Sequence, residues 1–378
     1  MKKVLLVPDS FKGTLSSKQI CDIIKGRMAE HFPNTEVVSI PVADGGEGSV
    51  DCFLSAVGGQ LVKVRSANPF FEEMEGFYGI LNGGKTAVIE MAACAGLPLV
   101  ENRKNTMIAT TYGVGILIKD AVAKGVEEII LGLGGSATTD FGCGAASALG
   151  ILFYDEKGEP FVPTGESLSR VSRAERGADA HVLDGIKLTL MCDVKNPVYG
   201  TLGAAYVYAP QKGASEEQVK ILDEGLRHIC KIVHRDLGVD VSSLVGGGAA
   251  GAMAGGMVAF FCASIQMGID VVLDVVGFDG LLEEADLVFT GEGKLDSQSL
   301  QGKVVCGVGK RSKAKNVPVI AVVGGAEGDV GQIYDAGVTS VFTINRLPED
   351  FSVSRYKSEE NLSQTVDNIL RMLKNCKR

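Results

Sequence analysis

Residues 4–42 read VLLVPDSFKGTLSSKQICDIIKGRMAEHFPNTEVVSIPV, which follows the order strand, loop, helix, strand. The apolar run at 4–7 predicts a buried strand. Ser16 and Gln19 form a capping-box signature at the start of a helix. A second apolar run over residues 36–42 predicts the next strand. A strand followed by a helix and another strand is typical of parallel pairing in an α/β fold.

The C-terminal third of the chain repeats this alternation. Apolar runs at 286–290, 317–323 and 336–344 predict three more strands, and residues 361–373 predict a closing helix. Because strands and helices alternate at both chain ends, we expect these ends to share one doubly wound parallel sheet.

The middle of the chain has a less regular pattern. Predicted strands are spaced unevenly there and lie at 86–91, 128–133, 187–194 and 204–209. We therefore predict an α/β protein with two domains. Residues 1–75 and 280–378 form the doubly wound domain, and residues 76–279 form an inserted mixed-sheet α/β domain. A cleft between two such domains is a usual place for a small-molecule site.

Composition limits the class of protein. The 378-residue chain has a net charge of −9, which argues against nucleic acid or an anionic membrane as a partner. Its nine cysteines include no C-x-x-C pair, which is typical of a reduced, cytoplasmic protein. Residues 244–269 contain no charged side chain and are long enough to span a bilayer. Because seven glycines interrupt this stretch, we expect a buried helix instead.

Three glycine-rich loops follow apolar runs, and each contains an acidic residue. Backbone amides approach an anion closely at such loops, and the acids suggest a divalent cation or a general base nearby. The combination predicts a site of phosphoryl transfer. The loops span residues 43–49, 132–140 and 291–297.

The loop at 132–140 combines glycines with hydroxyl side chains, and a small-residue helix is predicted after it at 142–149. The N-terminus of that helix would favour a phosphate. The alternative is a tight turn in which Ser or Thr caps the helix. The candidate nucleotide-binding residues are Gly134, Gly135, Ser136, Thr138 and Thr139.

Asp193 follows the predicted strand at 187–190, where open α/β sheets place their ligands. In kinases, an Asp that accepts the proton of the substrate hydroxyl orients the nucleophile for in-line attack. The alternative is a turn residue that bonds its own backbone.

The loop at 291–297 contributes Glu292, Lys294 and Asp296. Carboxylate oxygens are ligands that Mg²⁺ prefers, so Glu292 and Asp296 are candidate metal ligands. Lys294 could neutralise charge on the transferred group. A solvated turn with Asp296 capping a helix is the alternative.

Two more loops contain candidate substrate-binding residues. Asp9 and Lys12 lie in the first loop, where an ordinary turn is an equal alternative. Asp44 and Glu47 are two acids separated by glycines, and such a pair rarely serves only to form a turn.

Six segments of the chain, taken in order, closely resemble the corresponding segments of bacterial type-1 glycerate kinases. The resemblance implies an ATP- and Mg²⁺-dependent kinase that acts on D-glycerate and gives 2-phosphoglycerate and ADP. It also implies a flavodoxin-like domain joined to a second α/β domain. The matching segments are residues 8–14, 43–48, 132–140, 192–197, 291–296 and 319–325.

The resulting hypothesis assigns a role to each segment. The 134–138 loop holds ATP, and Asp193 orients the glycerate hydroxyl. Lys12 or Lys195 attracts the glycerate carboxylate. We expect a monomer or homodimer with small-molecule substrates only.

Three other functions compete with this hypothesis. A homoserine- or galactokinase-like enzyme has a similar phosphate loop, but it needs a different N-terminal domain. A nicotinamide-dependent oxidoreductase would need a G-x-G-x-x-G motif that directly follows a strand and opens a helix, with an acid about twenty residues later, and no such unit is predicted here. A non-catalytic nucleotide sensor is the third alternative, and it would not need the acids in the loops.

Overall fold

The structure is a computed structural model that describes residues 1–42, 46, 48–296, 299, 303–328 and 331–376. The chain divides into two compact units. The first unit contains Met1–Ala43, Ser55–Val57 and Met267–Arg378. The second unit contains Asp44–Leu54 and Gly58–Gln266.

The strands are numbered in chain order. They are β1 (Lys3–Pro8), β2 (Glu36–Ser39), β3 (Gly59–Ala67), β4 (Glu73–Leu81), β5 (Thr86–Glu90), β6 (Glu128–Gly132), β7 (Ile151–Tyr154), β8 (Pro160–Phe161), β9 (Arg173–Arg176), β10 (Lys187–Met191), β11 (Ser264–Gln266), β12 (Leu287–Gly291), β13 (Lys294–Leu295), β14 (Val319–Val323), β15 (Gly325–Ala326) and β16 (Ser340–Thr343).

The α-helices are numbered in the same way. They are α1 (Ser17–His31), α2 (Ser49–Val57), α3 (Ala92–Ala95), α4 (Tyr112–Ala123), α5 (Cys143–Ala148), α6 (Ala204–Tyr208), α7 (Glu216–Leu237), α8 (Ala249–Phe261), α9 (Gly268–Val275), α10 (Phe278–Leu282), α11 (Val304–Ala314), α12 (Gln332–Asp335), α13 (Phe351–Ser354) and α14 (Ser358–Cys376).

The first unit contains a five-stranded parallel sheet in the order β16-β14-β12-β1-β2. Counted among the strands of this sheet alone and read from β2, the order is 2-1-3-4-5, which is the flavodoxin-like arrangement. β1 is buried along its whole length between β2 and β12. Helices α1 and α14 pack together over the same core as β1 and β12. The α/β fold predicted from the sequence is therefore confirmed.

The second unit is built on a six-stranded mixed sheet in the order β11-β10-β6-β5-β4-β3. The strands β11, β10, β6 and β5 run parallel, whereas β4 is antiparallel to both of its neighbours. A separate antiparallel sheet has the order β8-β7-β9. The mixed sheet places the carboxyl ends of β5, β6 and β10 along one edge.

The division between the units differs from the predicted boundaries near residues 75 and 280. A boundary at 75 would cut β4, which pairs with β3 along nine residue pairs in the mixed sheet. A boundary at 280 would cut α10. Helix α9 belongs to the first unit because Arg311 of α11 forms an ion pair with Asp274, with a nitrogen-to-oxygen distance of 2.6 Å.

The strand predicted at 204–209 is wrong, because these residues form helix α6. A short apolar run does not distinguish a strand from a buried helical turn by its pattern alone. In the structure, Ala204 and Ala205 are buried against the core of the second unit, whereas Tyr206 and Val207 are exposed. Tertiary packing of the two alanines therefore decides the helical form.

The uncharged stretch at 244–269 contains the buried helix α8, as predicted. Its first turn is unusual, because Ala250, Gly251 and Ala252 have φ of 55°, 66° and 68°. A Cβ on Gly251 would lie 2.0 Å from the carbonyl oxygen of Thr138, so only glycine allows this approach. The turn therefore packs directly against the 132–140 loop. Within the described part of the chain, no helix is both long and apolar enough to cross a membrane.

Candidate active site

The first group of predicted site residues lies at the carboxyl edge of the parallel sheet. Asp9 follows β1 and Glu292 follows the neighbouring strand β12, and the Asp9 amide donates to Gly291 O at 2.8 Å. The chain continues from β1 to β2 on one side and from β12 to β14 on the other. This is the topological switch point, where open α/β sheets bind their ligands.

Glu292 has a raised pKa at this edge. Its side chain is buried, and burial raises its pKa to about 7. A hydrogen bond with Ser299 and the charge of Lys303 oppose this shift, whereas Asp9 and Asp296 add to it.

The Oε1 atom of Glu292 has no hydrogen-bond partner among the described residues. Carboxylate oxygens are ligands that Mg²⁺ prefers, so Glu292 stays a candidate metal ligand. Among the described residues, the group whose ligand atoms all lie within 4.8 Å of one another is elsewhere, at Glu30, His31 and Asp367.

The other residues of this edge have identifiable contacts. Asp9 Oδ1 accepts from the amide of Ser10 at 2.6 Å, which is a local turn contact. Gly293 lies close to the backbone of Lys12, since a Cβ on Gly293 would be 3.2 Å from the Lys12 nitrogen. Lys294 is exposed and forms an ion pair with Glu327. The structure thus brings the loop after β1, which contains Asp9 and Lys12, beside the loop after β12.

Asp44 and Glu47 lie outside the described residues. The helix that follows them, α2, is held by Glu90 at the end of β5, whose Oε1 accepts from the amide of Val50 at 2.7 Å. Glu90 is buried. Sequence reasoning missed it, because one acid that ends an apolar strand does not stand out as a pattern.

The second group of site residues lies at the carboxyl edge of the mixed sheet. Gly132 at the end of β6 is opposite Glu90 of β5 and Met191 of β10. The 132–140 loop and Asp193 therefore extend from adjacent parallel strands at the same edge. That both segments follow strands is as the sequence predicts, and their roles toward the nucleotide and the substrate hydroxyl stay predictions.

The hydroxyl side chains of the 132–140 loop are buried. Thr139 Oγ1 lies 2.7 Å from Thr106 Oγ1. Ser136 Oγ accepts a hydrogen bond from Lys212 Nζ at 2.8 Å. The buried hydroxyl of Thr138 has no hydrogen-bond partner in the part of the chain that the structure describes. Gly135 has a φ of 72°, a left-handed conformation that glycine adopts without strain.

Asp140 occupies the N-terminus of α5. Its carboxylate accepts from the amide and hydroxyl of Thr111 at 2.7 and 2.8 Å, and from the amides of Gly142 and Gly144 at 3.1 and 3.3 Å. Burial still raises the pKa of Asp140. The Asp140 carboxylate therefore binds two of the amides at this helix N-terminus, and phosphate binding by the neighbouring loop stays a prediction.

Asp193 and Lys195 are exposed in the segment after β10. Asn196 holds this segment in place. Its Nδ2 donates to Leu202 O at 2.8 Å, and its Oδ1 accepts from the hydroxyl of Tyr208 at 2.6 Å. The carboxylate of Asp193 is thus presented to solvent from an anchored loop at the edge of the sheet.

Lys212 is the second residue that sequence reasoning missed. It lies at the end of a 3₁₀ turn, Pro210–Lys212, and is buried. Burial lowers the pKa of Lys212 to about 7, and the nearby Asp140 opposes this effect. A lone lysine in a polar turn gives no sequence signal, because such lysines are usually solvated.

The raised pKa of Glu292 predicts a measurable pH dependence. The shift from 4.5 to about 7 stabilises the folded state fully below pH 4.5, and this contribution is lost as pH rises through 7. Glu292→Gln removes the titration. Between pH 4.5 and 8, the wild-type chain should lose about 3 kcal/mol of unfolding free energy relative to this variant. Urea unfolding at several pH values measures the difference.

Glu327→Gln is the matched control, because it removes an exposed carboxylate near the same sheet edge. We expect the stability difference between this control and the wild type to change little with pH. Parallel pH profiles for the wild-type chain and Glu292→Gln would show that Glu292 does not titrate with a raised pKa.

Comparison with known proteins identifies the family. The model of the glycerate kinase family matches residues 4–374. The chain is 41% identical over 368 residues to a glycerate kinase of Bacillus cereus, with 97% of each chain covered. It is 38% identical over 344 residues to the glycerate 2-kinase of Escherichia coli K12, with 90% of each covered. A crystal structure assigned to a glycerate kinase 2 of Salmonella typhimurium LT2 matches with a TM-score of 0.88 at 36% identity, and the match covers 100% of this chain and 99% of that one. The chain belongs to the glycerate kinase family.

Proposed function

We propose that this kinase transfers the γ-phosphoryl group of ATP to the C2 hydroxyl of D-glycerate, giving 2-phosphoglycerate and ADP with the help of Mg²⁺. One observation supports this proposal most directly. In a chain of the glycerate kinase family, the 132–140 loop and Asp193 follow adjacent parallel strands and lie at the same edge of the mixed sheet. The printed name of the E. coli relative, glycerate 2-kinase, favours the C2 position.

The nucleotide is assigned to the loop of the mixed sheet. Gly134 and Gly135 let the backbone approach the phosphates, while Ser136, Thr138 and Thr139 supply hydroxyl groups. The unpartnered hydroxyl of Thr138, among the described residues, is consistent with a group that acquires its partner in the bound state.

Asp193 is assigned to the glycerate hydroxyl. It is exposed at the carboxyl end of β10, one strand away from the nucleotide loop. A carboxylate there accepts the hydroxyl proton as the oxygen attacks phosphorus, which aligns the nucleophile. Lys195, two residues further on, can attract the glycerate carboxylate, and Lys12 remains an alternative for that role.

The acidic residues at the carboxyl edge of the parallel sheet are proposed to bind the metal ion and the substrate. Glu292 and Asp296 would hold Mg²⁺, which would neutralise negative charge on the phosphates. Asp9, Asp44 and Glu47 remain the proposed substrate-binding residues, and Lys294 the proposed cation for the transferred group. That all of these act in one cleft between the domains stays a prediction.

A direct assay tests the reaction and the position of phosphorylation. Protein, ATP, Mg²⁺ and D-glycerate should release ADP, and phosphorus NMR should show 2-phosphoglycerate. Reactions without glycerate, or with L-glycerate, are the controls. ADP release that does not depend on glycerate would indicate ATP hydrolysis and contradict the kinase activity. No ADP release under any of these conditions would favour a non-catalytic sensor. A 3-phosphoglycerate signal would contradict only the C2 assignment.

A further inference from the structure

Lys212 is a buried lysine that the roles above do not use. Its Nζ atom donates to Ser136 Oγ at 2.8 Å and to the carbonyl oxygen of Thr138 at 2.7 Å. Only 2% of its surface is exposed. Both acceptors belong to the 132–140 loop, so the ammonium group is hydrogen-bonded directly to the proposed nucleotide-binding loop.

The turn that carries Lys212 is held firmly. The Lys212 amide donates to Ala209 O at 3.0 Å, and the Ala214 amide donates to the same oxygen at 3.1 Å. Gly213 has a φ of 93°, and a Cβ there would lie 2.7 Å from Lys104 O. The ammonium group therefore approaches the loop from a rigid support.

A buried charged group holds a loop at a higher cost in free energy than a neutral hydrogen-bond donor does. Burying an ammonium group costs several kcal/mol unless an anion compensates it. The negative charge of Asp140 acts to raise the pKa of Lys212, but this carboxylate already accepts four hydrogen bonds. A neutral donor could tie the loop to the turn without this penalty. A role toward an anionic ligand explains why a cation lies here.

We propose that Lys212 is a positioning residue of the nucleotide-binding loop, which makes the Ser136 hydroxyl a donor toward the phosphates and holds the Thr138 carbonyl away from them. The inference rests on the proposed function, since it assumes that the nucleotide binds this loop. A hydroxyl that accepts from an ammonium group keeps its own hydrogen to donate elsewhere. A carbonyl oxygen that faced the phosphates would repel them, and its hydrogen bond to Lys212 prevents this.

Substitution of Lys212 tests the inference. Lys212→Met removes the donor and the charge, whereas Lys212→Gln keeps an N–H donor without the charge. Isothermal titration with MgADP should show a dissociation constant about 10- to 100-fold higher for Lys212→Met, and an intermediate value for Lys212→Gln. In steady-state assays the KM for ATP should rise, while the KM for D-glycerate stays within about twofold of wild type.

The control is Lys3, a buried lysine of the first unit whose Nζ donates to Glu284 at 3.2 Å. Lys3→Met should leave MgADP affinity unchanged. If Lys212→Met does not fold, Lys212→Gln alone carries the test, with an expected weakening of about tenfold. Wild-type affinity in Lys212→Gln, or an equal loss in Lys3→Met, would overturn the role of Lys212.

The same measurements separate this inference from the proposed function. If the wild-type protein binds MgADP but does not phosphorylate glycerate, the proposed reaction is contradicted. The MgADP affinities of the Lys212 variants would still test the role of Lys212 in the loop. A wild-type protein that phosphorylates glycerate, with Lys212 variants that bind nucleotide normally, would end only the inference.

Discussion

Asp193→Asn should lower kcat by about 10²- to 10⁴-fold, because the amide cannot accept the proton of the attacking hydroxyl. The substitution keeps the size of the side chain and leaves the Asn196 contacts that anchor the loop. Nucleotide affinity should therefore stay within about twofold of wild type. Steady-state kinetics with D-glycerate and titration with MgADP measure the two effects separately.

Asp240→Asn is the matched control for this prediction. Asp240 is an exposed aspartate of the second unit that accepts from the Ser242 amide at 2.8 Å, so it is a true turn residue. Asparagine forms the same turn, and its kinetics should match those of wild type. If Asp193→Asn behaves like this control, Asp193 is a turn residue and has no part in the chemistry.

Asp140→Ala should destabilise the protein by about 3–5 kcal/mol. The substitution leaves buried donors of Thr111, Gly142 and Gly144 without their acceptor. It also opens the space that the carboxylate occupies at the start of α5. Equilibrium unfolding in urea measures the loss, and the 132–140 loop should exchange its amide hydrogens faster.

Asp179→Ala is the control, since this aspartate is exposed in the same unit and its side chain forms a long ion pair of 3.9 Å with Lys119. Its effect should be below about 0.5 kcal/mol. A loss under about 1 kcal/mol for Asp140→Ala would mean that the donors find other partners, and that Asp140 is not the structural centre of the loop.

Local signals allowed much of the fold to be predicted. The capping box at Ser16 is present, since the Gln19 amide donates to Ser16 Oγ at 3.2 Å and the Ser16 amide donates to Gln19 Oε1 at 2.9 Å. Such contacts depend on residues three positions apart, so the sequence contains all the information they need. The glycine-rich loops are also local features, and they follow strands as expected.

Long-range contacts could not be predicted in the same way. The burial of Lys212 depends on Ser136 and Thr138, more than seventy residues earlier in the chain. The occupation of the α5 N-terminus by Asp140 depends partly on Thr111. The β3–β4 hairpin joins the second unit because of its pairing with β5, which the pattern of either strand does not reveal. These contacts depend on how distant parts of the chain pack together, and they cannot be predicted from the pattern of a single sequence.

The pairing of β1 with β12 has a consequence for biosynthesis. Val4 lies opposite Leu287, so one edge of β1 has no partner until most of the chain has left the ribosome. Residues 58–266 emerge earlier and contain all the strands of the mixed sheet. The second unit can therefore fold during translation. Until β12 is synthesised, the apolar strand β1 has an unpaired edge, and unpaired edges promote aggregation. Chaperone dependence of the nascent chain should accordingly be greatest before β12 is synthesised.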